Sequence, residues 1–299
     1  MSNLHIGVAG IGFVGGAMLA SFRKQLGAAQ VTTYDKYRGI GEAEHLLHTD
    51  ILFLALPTEL NDETKAYDLS AIHEVCSFLH LHAFAGVVVL KSTVLPGTTE
   101  QLAQRYAHLQ LVHNPEFLSA ATAERDFHEQ RHIVLGKHSS TPEATFERLR
   151  TFYATLYPAA DISVCSCGES EMMKIGCNAF YAVKIQFFNE IHALCAHQGV
   201  SYDHVKEMML KNGWINPMHT CVPGPDGQLS FGGKCLPKDS GALAESMRAQ
   251  GTPHRVVRAA VEEQAVMRCP TPNGAAVEEQ GVILPTPNGA AVELSLIHI

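Results

Sequence analysis

The segment Phe231-Gly232-Gly233-Lys234-Cys235-Leu236-Pro237-Lys238-Asp239 carries the sharpest chemistry in the sequence. A cysteine behind two glycines leaves room for a substrate carbon to reach the sulfur. Lys234, Lys238 and the start of a following helix are placed to lower the thiol pKa, and the thiolate is the reactive form. Asp239 opens that helix, where the plain alternative is an N-cap. Lys174 and Asn178 stand i, i+4 apart and so share one helix face. A lysine on a helix is most often a solvated charge, but Met, Ile, Gly and Cys surround this one, and an ammonium there needs a purpose. A second centre lies near the N-terminus. Gly10-Ile11-Gly12-Phe13-Val14-Gly15 follows a strand-like run and precedes a helical one. The first glycine permits a tight turn, the second lets a pyrophosphate approach the backbone, and the third packs helix on strand. The helix N-terminus then offers its positive dipole end to that pyrophosphate. Asp35 ends the second strand, 20 residues after Gly15. A carboxylate there holds the adenosine ribose hydroxyls and repels a 2′-phosphate, which favours NAD over NADP, although Lys36 and Arg38 pull the other way. Thr58 after the third strand and Thr93 after the fourth put hydroxyls where the nicotinamide half would lie. Glu116, within Asn114-Pro115-Glu116-Phe117-Leu118, follows the fifth strand on the same edge.

The elements that must position these groups are readable in outline. Apolar runs at 4–9, 30–34, 51–56, 87–90 and 109–112 are continuous more often than alternating, which suits parallel strands buried on both faces. A further run follows at 131–136. The spacings between them hold crossover helices, so the expected fold class is α/β: a Rossmann-like, doubly wound parallel sheet followed by a long-helix, mainly α domain. Residues 168–198 lack proline and place Met173, Phe180, Val183, Phe187, Ile191 and Leu194 on one helical stripe; at 1.5 Å per residue the helix is about 46 Å long. Such a stripe points to a homodimer built through this helix. Shorter helices are expected at 201–211 and 239–249, around a Gly/Pro-rich loop at 216–233. The expected organisation is an NAD-binding domain at 1–160, a helical dimerisation domain carrying the cysteine at 161–268, and a low-complexity, disordered tail at 269–299. In that tail Ala-Ala-Val-Glu recurs from positions 259, 275 and 290, a period that fits no solenoid.

Composition bounds the rest. The chain has 299 residues, 46% hydrophobic and 17% charged, enough for two packed domains. A net charge of -8 lacks the basic footprint of a nucleic-acid binder. No run reaches the roughly 18 apolar residues of a membrane span, and no signal peptide is read, so the eight cysteines are expected to be reduced thiols of a cytoplasmic protein. The 17 histidines form no metal motif, and Cys165-Ser166-Cys167 is too tightly spaced for zinc or redox pairing, so no metal is expected.

Taken in order, the glycine loop at 10–15, Ser92-Thr93-Val94, Asn114-Pro115-Glu116-Phe117-Leu118, the Lys174/Asn178 pair and the segment 232–239 resemble the UDP-glucose/GDP-mannose dehydrogenase family of nucleotide-sugar 6-dehydrogenases. The resemblance spans about residues 4–268. It implies an NAD-dependent, four-electron oxidation of the C6 alcohol of a nucleotide sugar, UDP-glucose to UDP-glucuronate being the expected case in polysaccharide biosynthesis. It implies that Cys235 carries a thiohemiacetal and then a thioester. Lys174 and Asn178 would stabilise the oxyanion, and Glu116, Thr93 and Asp239 would place water and move protons. Lys238 would join Gly10, Gly12, Val14, Gly15, Asp35, Thr58 and Thr93 around the cofactor. Glu116, Phe117, Leu118, Lys174, Asn178 and Gly232 would hold the substrate. Two departures stand out: Ala120-Ala121 replaces the family's Glu-Gly, and the tail stands where the family has a C-terminal nucleotide-binding domain, as in a short form or fragment. Two alternatives stay open. One is a β-hydroxyacid dehydrogenase, which also pairs Lys and Asn one helical turn apart but needs no thiol. The other is a truncated, non-catalytic NAD-binding dimer.

Overall fold

Four-residue strands with no polar side chain facing out need a layer on each side, and the chain supplies both. A computed structural model describes residues 4–268, apart from Asp62 and Ala120, together with a short pairing of Leu284–Pro285 with Ala291–Val292. The disorder expected of the tail and the Ala120 substitution therefore lie outside the described residues. The sheet comprises β1 (Ile6–Ala9), β2 (Val31–Tyr34), β3 (Ile51–Leu54), β4 (Val87–Leu90), β5 (Gln110–His113), β6 (His132–Lys137) and β7 (Asp161–Ser166), ordered β2-β1-β3-β4-β5-β6-β7. All neighbouring pairs are parallel except β5 with β6. The sheet is thus mostly rather than wholly parallel. β7 is a half-exposed edge strand, in a stretch that the sequence assigns to the helical part.

Side-chain alternation divides the central strands between two cores. Ile6, Val8, Ile51, Phe53, Val87 and Val89 point to one face, where α1 (Phe13–Leu26), α4 (Ala123–His128) and α5 (Glu143–Leu156) pack. Leu52, Leu54, Val88 and Leu90 point to the other, under α2 (Ser70–Leu81) and α3 (Thr98–Arg105). On the first face Phe22, Phe53, Phe127 and Phe152 form an aromatic knot, with the Phe22 centroid 5.2 to 5.6 Å from the other three. Truncating Phe22 to alanine there costs about 3–5 kcal/mol.

Ser166 starts α6 (Cys167–Gln198) with a capping box shared with Glu169, and Gly199 stops it in the left-handed region at φ 66°. The helix packs on α8 (Leu236–Ala249) and α9 (Arg255–Arg268) through small side chains such as Ala179 and Ala182, while α7 (Tyr202–Lys211) covers its far end. The apolar stripe expected on α6 splits in two. Val183 and Ile191 pack against the chain's own helices, whereas Phe180, Phe187 and Leu194, seven residues apart, are 61%, 46% and 55% exposed.

Candidate active site

The glycine loop sits at the β1/β3 junction, where strand order reverses and an open α/β sheet has its ligand crevice. Gly10 has φ 86°, and a Cβ on it would stand 2.5 Å from the Ala55 carbonyl oxygen; one on Gly15 would stand 1.8 Å from the Gly10 oxygen. Both glycines are required by close packing. Gly12 differs: a Cβ there would meet nothing within 4 Å. As N-cap of α1 it contributes no side-chain cap, and the first turn holds no acidic residue. The amides and positive end of α1 are therefore unclaimed beside a cleft of about 630 Å³ lined by Gly12, Gly16, Thr122, Glu124 and Arg125 among others, and such amides suit a dinucleotide pyrophosphate. Asp35 is tied to this loop, its Oδ2 accepting the Ile11 N–H at 2.8 Å. Val14 turns inward and packs on the core. Thr58 and Thr93 meet at the sheet edge, the Thr58 hydroxyl donating to the Thr93 carbonyl at 2.9 Å. Gly97 caps α3 at φ 94°, and the Thr98 hydroxyl turns back to the Leu95 carbonyl.

The second centre forms where α6 and α8 meet the carboxyl edge of the sheet. Lys174 is buried and donates to Glu116 Oε1 at 3.3 Å, with its ammonium 5.4 Å from the Phe117 ring centroid. The other Glu116 oxygen accepts the Leu118 N–H at 2.6 Å. One turn along α6, Asn178 donates to Asp239 Oδ2 at 2.6 Å. Lys238 donates to Asp239 Oδ1 at 2.7 Å and to the Thr58 hydroxyl at 3.3 Å, which joins the two centres. Asp239 does not open its helix: α8 starts at Leu236 with Cys235 as N-cap, so Asp239 lies within the first turn and is 1% exposed. Gly232 lies against the Arg268 guanidinium, 2.1 Å from where a Cβ on it would stand. A cleft of about 680 Å³ adjoins the cluster, lined by Glu116, Phe117, Leu118, Arg125 and His132 among others. Among the described residues no group of three or more His, Cys, Asp or Glu is placed to hold a metal ion, and no helix is long and apolar enough to cross a membrane.

Comparison with known proteins agrees with this arrangement. The model of the UDP-glucose/GDP-mannose dehydrogenase family's NAD binding domain matches residues 39–157, and that of its central domain matches residues 168–264. The chain belongs to the UDP-glucose/GDP-mannose dehydrogenase family. It is 33% identical over 245 residues to the UDP-glucose 6-dehydrogenase AglM of Haloferax volcanii, covering 76% of this chain and 55% of that one. The chain spans about half the length of the curated relatives it matches. Among solved structures, a UDP-glucose dehydrogenase from Pyrobaculum islandicum superposes with a TM-score of 0.76 at 26% identity, over 89% of this chain and 69% of that one. A 3-hydroxyisobutyrate dehydrogenase from Mycobacterium tuberculosis matches at 0.69 and 19% identity, over 88% and 93% of the two chains, a likeness of fold alone. The sheet domain is accordingly an NAD-binding domain of this family. The match begins at residue 39, so the glycine loop and Asp35 rest on their own geometry.

Within this family frame the electrostatics depart from the sequence expectation at one point. The Cys235 thiol is not lowered. Cys235 is exposed as a residue, yet partial burial of its sulfur, then the Asp239 and Glu116 carboxylates, push the thiol above its ordinary value, and the pull of Lys174 and Lys238 does not reverse this. Lys234 is exposed and exerts no resolved effect. Three participants escaped sequence reasoning. Tyr67 donates to Asp239 Oδ1 at 2.5 Å, from a loop 172 residues away. Lys91 is wholly buried and donates to Asn114 Oδ1 at 2.9 Å and to the Pro115 carbonyl at 3.4 Å; burial pulls its pKa down to about 7. His113, beneath the same turn, accepts or donates at Ser170 Oγ, and burial pulls it down to about 3. Lys91 precedes the Ser-Thr motif and was legible as a charge in an apolar strand end; Tyr67 left no such signal.

Proposed function

We propose that this chain carries out NAD-dependent oxidation of the C6 alcohol of a nucleotide sugar to the uronate, through covalent attachment to Cys235, with UDP-glucose as the first substrate to try. The observation that carries the reading is the convergence of Cys235, Asp239, Asn178, Lys174 and Glu116 beside the cofactor-side Thr58. A β-hydroxyacid dehydrogenase has no use for that thiol.

Two molecules of NAD, bound in turn, would supply the hydride acceptor, one for each oxidation. The protein's part follows from its polar groups. The C6 alcohol loses a hydride and a proton to become an aldehyde, and Glu116 and Lys174, already paired, are the groups that hold or pass that proton. The Cys235 sulfur then bonds to the aldehyde carbon as its S–H bond breaks, and the carbonyl π pair takes up that proton as an O–H, giving a thiohemiacetal; Lys174 and Asn178 steady the oxygen as charge grows on it. Loss of a second hydride and of the hydroxyl proton leaves a thioester. Water adds, the carbon–sulfur bond breaks, and the sulfur leaves with a proton as the carboxylate forms. Asp239 or Glu116 takes the proton from that water. Because the thiol is raised, the adduct-forming step should quicken with rising pH. The cleft beside Phe117 and Leu118 is the proposed seat of the sugar.

The proposed assembly is a homodimer in which a second copy covers Phe180, Phe187 and Leu194, since an exposed apolar stripe at heptad spacing is otherwise an aggregation hazard. The test of function is NADH release from a panel of nucleotide sugars. Two NADH per sugar consumed supports the proposal. One NADH, obtained only from a small 3-hydroxy acid, turns it into the alternative chemistry, and NAD binding without turnover on any sugar makes the chain a non-catalytic binder.

A further inference from the structure

We propose that Tyr67 is a positioning residue for the turn that carries the thiol, its hydroxyl fixing the Asp239 carboxylate and tying the cofactor side of the molecule to Cys235. The proposal rests on the reading of Cys235 as the nucleophile. Tyr67 lies in the connection between β3 and α2, which leaves the sheet at Ala55, in contact with Gly10. That connection is folded on itself. Leu60 and Tyr67 form an antiparallel bridge, Ala66 O accepts from Asn61 N at 2.9 Å, and Glu59 O accepts from Asp68 N at 2.8 Å. The Asn61 side chain accepts the Glu63 and Thr64 amides and stiffens the tip. Tyr67 is therefore presented by a closed hairpin and not by a loose strand of chain.

Asp239 receives donors from three separate elements: Tyr67 on the hairpin, Asn178 on α6 and Lys238 on α8 itself. Lys238 also lies 4.1 Å over the Tyr67 ring centroid, so ring and hydroxyl have separable jobs, one under the ammonium and one on the carboxylate. Burial, then the charge of Asp239, hold the phenol far above its ordinary value, so Tyr67 stays a donor at every working pH. The Asp239 amide donates to the Cys235 carbonyl at 2.8 Å, so a fixed carboxylate fixes the turn that bears the sulfur. The hydrogen bond from the Tyr67 hydroxyl spreads the negative charge of the Asp239 carboxylate. That limits how far the carboxylate pushes up the thiol, which also faces Glu116, Lys174 and Lys238. Removing only the O–H concentrates the charge opposite the sulfur.

The experiment is Tyr67→Phe, which keeps the ring beneath Lys238. Alkylation of Cys235 by iodoacetamide is followed against pH by peptide mass in the protein without cofactor or sugar. NADH release is followed beside it. The expected result is an alkylation midpoint about half a pH unit higher, which is roughly a threefold slower reaction near pH 7. The expected kinetic result is a fall in kcat of about tenfold with KM values for sugar and NAD within about twofold. Incorporation of 3-fluorotyrosine at position 67, a stronger donor of the same shape, should move the alkylation curve the opposite way, and this holds the test open should the phenylalanine variant fold poorly. An unmoved alkylation curve in both variants overturns the proposal, as does a change in KM alone. Should the unmodified protein release no NADH from any nucleotide sugar, the functional reading falls while the alkylation curves still judge Tyr67.

Discussion

Two buried carboxylates on the helical side of the molecule have different companions. Glu171, near the start of α6, accepts the Gly97 amide at 2.7 Å, the Thr99 amide at 2.8 Å and the Thr99 hydroxyl at 2.6 Å. It docks the N-terminus of α3, a place where a negative charge is favoured by the helix dipole. Asp239 accepts only from side chains, and those come from elements far apart in sequence. Backbone amides cannot titrate or swing away, so Glu171 is architecture. Side-chain donors can be tuned one at a time, and the charge of Asp239 acts on the Cys235 sulfur, the proposed nucleophile. The difference separates a carboxylate that holds the fold from one that conditions a site.

The largest effect expected is at the sulfur that only the second carboxylate faces. Cys235→Ser should lower turnover by about a thousandfold or more, because a serine alkoxide is a poorer nucleophile and leaving group. NAD affinity should stay within about twofold, as Gly10, Gly12, Gly15 and Asp35 lie at the β1–α1 turn and the end of β2. Calorimetric NAD titration and steady-state NADH release measure the two; near-normal turnover would contradict the covalent route.

Next comes the pair itself. Asp239→Asn should lower kcat by about a hundredfold with little change in Tm. Glu171→Gln should do the reverse, destabilising by about 1–3 kcal/mol because it leaves buried donors poorly matched, while kcat stays within about threefold. Thermal unfolding and kinetics on both variants decide it, and the opposite pattern would erase the distinction drawn above.

Lys91 sharpens the comparison from the basic side. Its folded pKa, about 7, lies below the ordinary lysine value of 10.5. It therefore contributes stability that is fully present above about 10.5 and is lost as pH falls through about 7. Lys91→Met should flatten the change in Tm across that window relative to the unmodified protein. An identical pH dependence in both would show that the amine is not held neutral by burial.

A smaller effect is expected at Asp35, which accepts the Ile11 amide and is the proposed partner of the cofactor ribose. Asp35→Asn should reduce the preference for NAD over NADP by a few-fold, read from the two dissociation constants; an unchanged ratio would remove Asp35 from that role.

What the sequence disclosed and what it withheld follow the same division. The strands and the glycine loop are local, and apolar runs and glycine spacing carry them directly. The i, i+4 spacing of Lys174 and Asn178 put both on one face, and the structure has them reach Glu116 and Asp239 from that face. Helix α9 was hidden because only Ala260 on it is buried and the Ala-Ala-Val-Glu in its middle echoes the tail. Strand β7 was hidden because an edge strand alternates weakly. Tyr67 and Glu171 could not be read at all, since each earns its place from a partner more than 70 residues away. The thiol shift went the wrong way for a related reason: the lysines adjacent in sequence were visible, and the carboxylates adjacent in space were not.

The most direct test of the account is an acid quench during a single turnover with UDP-glucose and NAD, followed by mass analysis of the cysteine peptides. The account predicts a sugar-nucleotide adduct on the Cys235 peptide and on no other, accumulating in Asp239→Asn as thioester hydrolysis slows. Release of two NADH per sugar with the Cys235 peptide unmodified throughout, in both proteins, would contradict it.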